Sequence, residues 1–380
     1  MIYISPDFIT PFINNNFMVW FENVLQNFNL DACNTQLKEK LEPKEIDFCQ
    51  EIIKHAKKIV QFDYNEMRNF LEIEIDNNDK LRIFFLENKI NNIKGKWKRK
   101  HSDENRKNCF EEINKELESN NLTSLSSIEP IPEMIQKALE TAQKAFSIDK
   151  ISEVLFKLFD YDVFSDKFRE DFIVASKVNV CPYCNSAFIL NYHKDKNNKS
   201  TADLDHYYPR SRYPFFAVTL WNLIPICSTC NSRFKAQYDT FSNEILYPYI
   251  KWQGMDEINF IPKLAEKGYS FEDEAHFTID VQTSNERSKN SSDLFHLQDL
   301  YENHKSIVAR IAFLDRITTP KLCNEIASIL NDKKINEQVV MNKFLAFQYA
   351  HSPGGILSKL TDDVKQFFEN KRQKRLKGIY

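Results

Sequence analysis

Two Cys-x-x-Cys pairs, Cys181-Pro-Tyr-Cys184 and Cys227-Ser-Thr-Cys230, gather four of the eight cysteines in this chain. Four thiolates arranged as two knuckles form the donor set of a closed tetrahedral zinc site, which leaves no position open to a substrate. Such a site contributes about 10–16 kcal/mol of apparent binding energy, enough to hold a small domain with little core. A redox centre would need only one such pair, and neither lies in a thioredoxin-like strand pattern. Cys33, Cys49, Cys109 and Cys323 stand singly and read as small buried hydrophobes.

Reduced thiols fit the expected compartment. The opening MIYISPDFITPFINNNFMVWF has no basic leader and is interrupted by Pro6, Asp7 and Pro11, so it reads as neither signal peptide nor anchor. No other run is expected to span a bilayer. A cytoplasmic protein that does not enter the membrane follows, and there cysteines meet metals rather than disulfides.

The 380 residues allow two or three domains, and 42% hydrophobic with 28% charged residues is an ordinary globular balance. Only six glycines occur, none in a phosphate-binding loop pattern, which excludes nucleotide triphosphate hydrolysis by this chain alone. Scarce glycine also favours helices, so the expected class is α+β and mostly helical.

Three regions are expected. Residues 1–170 are helix-rich, suited to docking a partner or to regulation. KEIDFCQEIIKHAKKIVQF places Ile46, Cys49, Ile53, Ala56 and Val60 at helical spacing. Residues 72–85 read as a hairpin turning at Asn77-Asn78-Asp79, and 121–134 as a Ser/Pro-rich joint. The cysteine segment occupies 171–250. Residues 251–380 are again helix-rich, with a strand at HFTIDVQT and one long helix carrying Leu297, Leu300, Tyr301, His304, Val308 and Ile311 on a stripe.

Net charge is −3, so a nucleic-acid binder of this kind must gather its cations locally. Lys94–His101, with Trp97 among its cations, and the tail Lys371, Arg372, Lys374, Arg375 and Lys377 are candidates beside the plainer reading as solvated faces. Between Cys181 and Asp239, seven Lys/Arg face four Asp, an excess that suits a polyanion.

Within the cysteine segment, strand alternation in ADLDHYY puts Asp203 and Asp205 on one face and His206 on the other, unless a break brings the imidazole round. A helix is expected to start near Cys230, with Asn231 and Lys235 sharing a face. His193 reads as solvated, and His304 as half-buried packing.

The run Asp205-His206-x-x-Pro209-x-Ser211, followed by Asn222-Leu-Ile-Pro-x-Cys227-x-x-Cys230-Asn231-x-x-x-Lys235, resembles the HNH, or ββα-metal, nucleases. The likeness covers about residues 178–250. Within that family, DLDHYYPRSRYPFF resembles the HNH partner nucleases of Septu-type and retron-linked anti-phage defence systems, which typically work beside a separately encoded ATPase. It departs from many members in having Arg212-Tyr213-Pro214 where they follow the serine with Gly-Gly.

The resemblance implies a small zinc-stabilised ββα core, treble-clef-like, flanked by helix-rich regions. His206 is then the general base, an imidazole titrating near neutrality. Asp205 and Asn231 hold a catalytic Mg²⁺ or Mn²⁺, which offsets charge on the phosphate and leaving oxygen. Asp203 reads as a strand-end carboxylate that can assist. Asn222 braces the loop and orients His206, while Arg210, Arg212 and Lys235 are phosphate contacts. Double-stranded DNA is the expected substrate, with room for an oligomer. A non-cutting zinc scaffold that binds nucleic acid, and an HNH enzyme acting on RNA, are the alternatives.

Overall fold

The computed structural model describes residues 3–74, 86, 90, 93, 103–119, 122–126, 131–145, 148–251, 257–264, 276–331, 334–336, 339–340 and 355–376. Residues 75–85 of the expected hairpin and the Lys94–His101 cluster lie outside them, as do parts of the 121–134 joint. Glu72–Glu74 belong to a helical turn, Phe70–Glu74.

The chain is α+β and mostly helical. Its N-terminal helices are α1 (Met18–Asn27), α2 (Leu30–Gln36), α3 (Pro43–Ile59), α4 (Tyr64–Asn69), α5 (Asp103–Ser119), α6 (Ile131–Ala145), α7 (Ile148–Leu158) and α8 (Tyr161–Ala175). Local chemistry starts them. Pro43 occupies the first turn of α3, where its missing N–H costs nothing. Asp63 and Glu66 form a reciprocal capping box on α4, and the Asp160 carboxylate accepts from Val163 N at 3.0 Å to cap α8. Helix α3 forms over the expected stretch. Its core face is centred on Phe48, Cys49, Ile52, Ala56 and Ile59, and Ile46 and Ile53 sit at its margin.

Among the described residues, three two-stranded antiparallel ribbons follow. β1 (Asn191–Lys194) and β2 (Asn197–Ser200) join through Asp195-Lys196, both at positive φ, the geometry of a tight hairpin turn matched to strand twist. β3 (Asp203–His206) pairs with β4 (Leu223–Ile226), with Asp205 opposite Ile224 and His206 opposite Leu223. β5 (Ile258–Leu264) pairs with β6 (Phe277–Thr283), which is the strand expected at HFTIDVQT.

The C-terminal helices are α9 (Glu286–Leu294), α10 (Leu297–Glu302), α11 (Lys305–Ile317), α12 (Pro320–Leu330) and α13 (Ser358–Leu376). The single long helix expected over 294–317 is instead broken, with α9 ending at Leu294 and α10 and α11 following. It breaks at Asn303-His304, where His304 N bonds Tyr301 O at 2.8 Å in a turn and leaves helical geometry. The apolar stripe survives the break, since Leu297, Tyr301, Val308 and Ile311 are all buried. No helix among the described residues is long and apolar enough to cross a membrane.

One hydrophobic cluster runs from Ile4 to Phe368 and joins side chains of all three stretches around the cysteine segment. A separate, smaller one gathers Leu86, Ile113, Leu117, Met134 and Ala138. The N-terminal helices back the loop after β3 directly. Phe70 packs edge-on against Phe215 and Phe216, and Thr219 donates to Ile59 O at 3.1 Å.

Candidate functional site

The four knuckle cysteines converge. The Sγ atoms of Cys181, Cys184, Cys227 and Cys230 lie within 4.8 Å of one another, and all four residues are buried. Their hydrogen bonds to one another and their burial move all four thiols away from ordinary titration. Four buried sulfurs at this spacing can hold a metal such as zinc.

Each knuckle connects to a neighbouring opening, the first through Asp205 and the second through Asn231. Tyr183, inside the first, stacks on Phe295 at 4.4 Å and donates its hydroxyl to the Asp205 carboxylate at 2.8 Å. Burial holds the Tyr183 phenol well above its ordinary pKa, so it stays a donor. Cys230, in the second, is followed at once by Asn231. The segment Thr229–Lys235 is one wide helical turn rather than an α-helix, closed by Ala236 N to Asn231 O at 2.9 Å across five residues.

That opening, about 520 Å³, is lined by Asp203, Asp205, His206, Arg210 and Asn231, with Tyr161, Ser165 and Arg169 on its far side. The last three are spaced by four on α8 and share a helix face. Nothing in their sequence marks them except that spacing. The Asn231 amide donates to Asp203 Oδ2 at 3.2 Å, and the Arg169 guanidinium lies 4.0 Å from Asp203 Oδ1.

The histidine is held on two sides. Its Nε2 lies 2.9 Å from the Ala217 carbonyl. A carbonyl only accepts, so Nε2 carries the proton and the lone pair sits on Nδ1. Tyr161 meets the imidazole edge-on at 4.5 Å, and Arg210 lies over the Tyr161 ring at 4.9 Å. Desolvation lowers the His206 pKa to about 3, with Arg210 and Lys235 adding to it and the Ala217 bond opposing. The ring is neutral at physiological pH.

Asn222 is fully buried and spends its whole side chain on the backbone. Its Oδ1 accepts from Tyr208 N at 2.8 Å, and its Nδ2 donates to Tyr208 O at 3.0 Å and Phe216 O at 3.1 Å. Phe216 precedes Ala217, the partner of His206, so one amide ties both ends of the intervening loop. Tyr207 OH to Ile245 O (2.7 Å) and Tyr213 OH to Asp239 (2.8 Å) pin the same loop.

The cations expected to meet phosphate differ in position. Arg210 lines the opening, half its reach taken by Asp162 at 3.4 Å. Arg212 points to the buried Asp239 at 3.3 Å. Lys235 is not at the surface: its side chain is 0% exposed, and its ammonium sits 3.0 Å from Asp205 Oδ1 and donates to His206 O at 2.6 Å. Asp205, 3% exposed, needs that charge once it leaves water. In the basic tail, Arg372 is engaged with Asp315 of α11 (Nε to Oδ1, 3.1 Å). His193 is exposed on β1 and His304 half-buried at the helix break, both as expected.

Comparison of the chain with protein-family profiles, with curated proteins and with solved structures finds no match.

Proposed function

We propose that this chain is a divalent-metal-dependent endonuclease of the HNH type, hydrolysing phosphodiester bonds in DNA. One observation carries the reading: His206, its Nε2 proton committed to the Ala217 carbonyl so that Nδ1 is its basic nitrogen, lines one opening together with Asp203, Asp205 and Asn231. Hard oxygen donors of that kind suit Mg²⁺ or Mn²⁺. Bound there, such an ion would offset charge at the phosphate and ease deprotonation of a water.

The chain's own residues do the rest. His206 accepts the proton of the attacking water at Nδ1. Asn222 fixes the loop on which that ring is oriented, and Arg210 steers the phosphate. Cys181, Cys184, Cys227 and Cys230 would hold a structural zinc, which would keep the knuckles that carry Tyr183 and Asn231 in register with the two carboxylates. The place of the chain beside an ATPase in an anti-phage system is drawn from the sequence resemblance alone.

A second reading draws on the Lys235–Asp205 pair, which neutralises a carboxylate the chemistry wants: a zinc module that binds nucleic acid without cutting it. Incubating wild type and His206→Ala with supercoiled plasmid, single-stranded DNA and total RNA, with Mg²⁺ or Mn²⁺, separates the readings. The expected result is DNA nicking by wild type that drops about 10²–10⁴-fold in the variant. Equal nicking by both removes His206 from the chemistry, and retention without nicking by either favours the non-cutting module.

A further inference from the structure

The β1–β2 hairpin carries a surface that the hydrolytic centre does not use. Phe188 is 71% exposed, Leu190 60% and Tyr192 42%, three large apolar side chains within five residues. Tyr192 and Lys194 share one face of β1, with Lys199 opposite Tyr192 in the register, and Phe188 and Leu190 precede them at the same period of two in the stretch leading into the ribbon, where Phe188 bridges to Val180. The other face is seated. Ile189 is buried, Asn191 Nδ2 donates to Val178 O at 2.9 Å, and Asn198 Nδ2 to Asp171 of α8 at 2.8 Å. The hairpin is therefore tied to the rest of the protein through Asn191 and Asn198, while Phe188, Leu190, Tyr192 and Lys194 are turned to solvent.

Exposure at this level costs solubility unless something is met there. Charge says what. Within the hairpin Lys194, Lys196 and Lys199 outnumber Asp195, with Asp171 bonded to Asn198 on the other face, so the outward face suits an anionic occupant. Alternate side chains on a strand are about 6.6 Å apart, twice the roughly 3.4 Å thickness of a base in a stack. β2 leads into β3 through Thr201 and Ala202, so the hairpin lies close in the chain to Asp203.

We infer that the outward face of the β1–β2 hairpin is a stacking platform for an unpaired stretch of nucleic acid flanking the site: Phe188 and Tyr192 take bases, Leu190 wedges between them, and Lys194 and Lys199 meet the backbone. This rests on the nuclease reading for the orientation of the strand, but not on cleavage. A paired duplex offers no free base faces, so the platform favours single-stranded segments or overhangs.

The test is fluorescence anisotropy with a labelled single-stranded DNA of about 30 nucleotides and the matching duplex. His206→Ala protein is used throughout, in buffer without divalent ions or chelator, so that neither cleavage nor zinc loss intervenes. Phe188→Ser/Tyr192→Ser is expected to weaken single-strand binding tenfold or more and duplex binding less. Lys194→Gln/Lys199→Gln is expected to flatten the single-strand salt dependence by about 0.7 per lysine. Circular dichroism and zinc content matching the parent exclude misfolding. Unchanged single-strand affinity in the aromatic variant overturns the inference and gives the face to a protein partner, as does a parent protein that binds no single strand. If hairpin-dependent binding is found while wild type fails to cut in Mg²⁺ or Mn²⁺, the platform stands and the nuclease reading falls.

Discussion

Lys235 and Asp205 form an ion pair at 3.0 Å beneath the floor of the opening, and the same ammonium bonds the backbone carbonyl of His206. One buried cation thus holds both the carboxylate and the strand end that carries the imidazole. Removing either partner alone strands a charge away from water. Lys235→Met is expected to destabilise the protein by about 3–5 kcal/mol. Lys235→Met/Asp205→Asn should cost clearly less than the two single changes summed, as urea titration of the four proteins would show. Additive losses would mean that the two side chains do not depend on each other.

The cysteine cluster is expected to hold about one zinc per chain, measured by elemental analysis. Cys230→Ser should lose the ion and lower the melting temperature. It should also abolish any cleavage, because Asn231 and, through Tyr183, Asp205 are hung on the knuckles. A fully folded, zinc-free protein would contradict this.

Asn222→Ala leaves the Tyr208 amide and carbonyl without the Asn222 partner and removes one of the two donors to the Phe216 carbonyl, which keeps Thr219 N. The expected cost is about 1–3 kcal/mol for each group left unpaired. Asn222→Asp keeps the acceptor but sets a charge against two carbonyls, and should fare no better. Denaturant midpoints of the two variants check both statements.

Stability should also fall in acid at a site remote from the chemistry. Burial raises the Glu244 pKa, but bonds from Tyr64, Arg68 and Arg287 outweigh it and leave the carboxyl below its ordinary 4.5. A folded-state pKa beneath the unfolded one gives stability that is complete above about pH 4.5 and lost as pH falls through the lower, folded value. Glu244→Gln should therefore be less stable than wild type at neutral pH, with the gap narrowing below pH 4.5. A gap constant from pH 3 to 7 would refute the assignment.

The cysteine cluster was legible because its spacing is itself the geometry: a Cys-x-x-Cys knuckle already sets two thiols side by side. The mostly helical class was legible in the period of stretches such as Pro43–Ile59. Much of the site was not. A lysine four residues past Asn231 reads as a surface cation, and only a neighbouring buried carboxylate reveals it as an internal counter-ion. The partner of His206 is a backbone carbonyl eleven residues on, which carries no side-chain signature. Tyr161, Ser165 and Arg169 reach the opening because α8 packs beside β2, a tertiary fact with only an i, i+4, i+8 trace. The break at His304 was hidden because the apolar stripe continues straight through it.

The first knuckle also depends on a distant part of the chain. Asn185, at positive φ just past Cys184, donates to Gly355 O at 3.0 Å and accepts from Lys359 N at 3.0 Å, while its own carbonyl receives Leu357 N at 2.7 Å. Those partners lie some 170 positions downstream. On the ribosome, where the N-terminal parts of a chain emerge first, the cysteines are in place well before the start of α13 can dock on them. The segment proposed to cut nucleic acid therefore reaches its final shape only after most of its surroundings have been synthesised, a delay written into chain order alone.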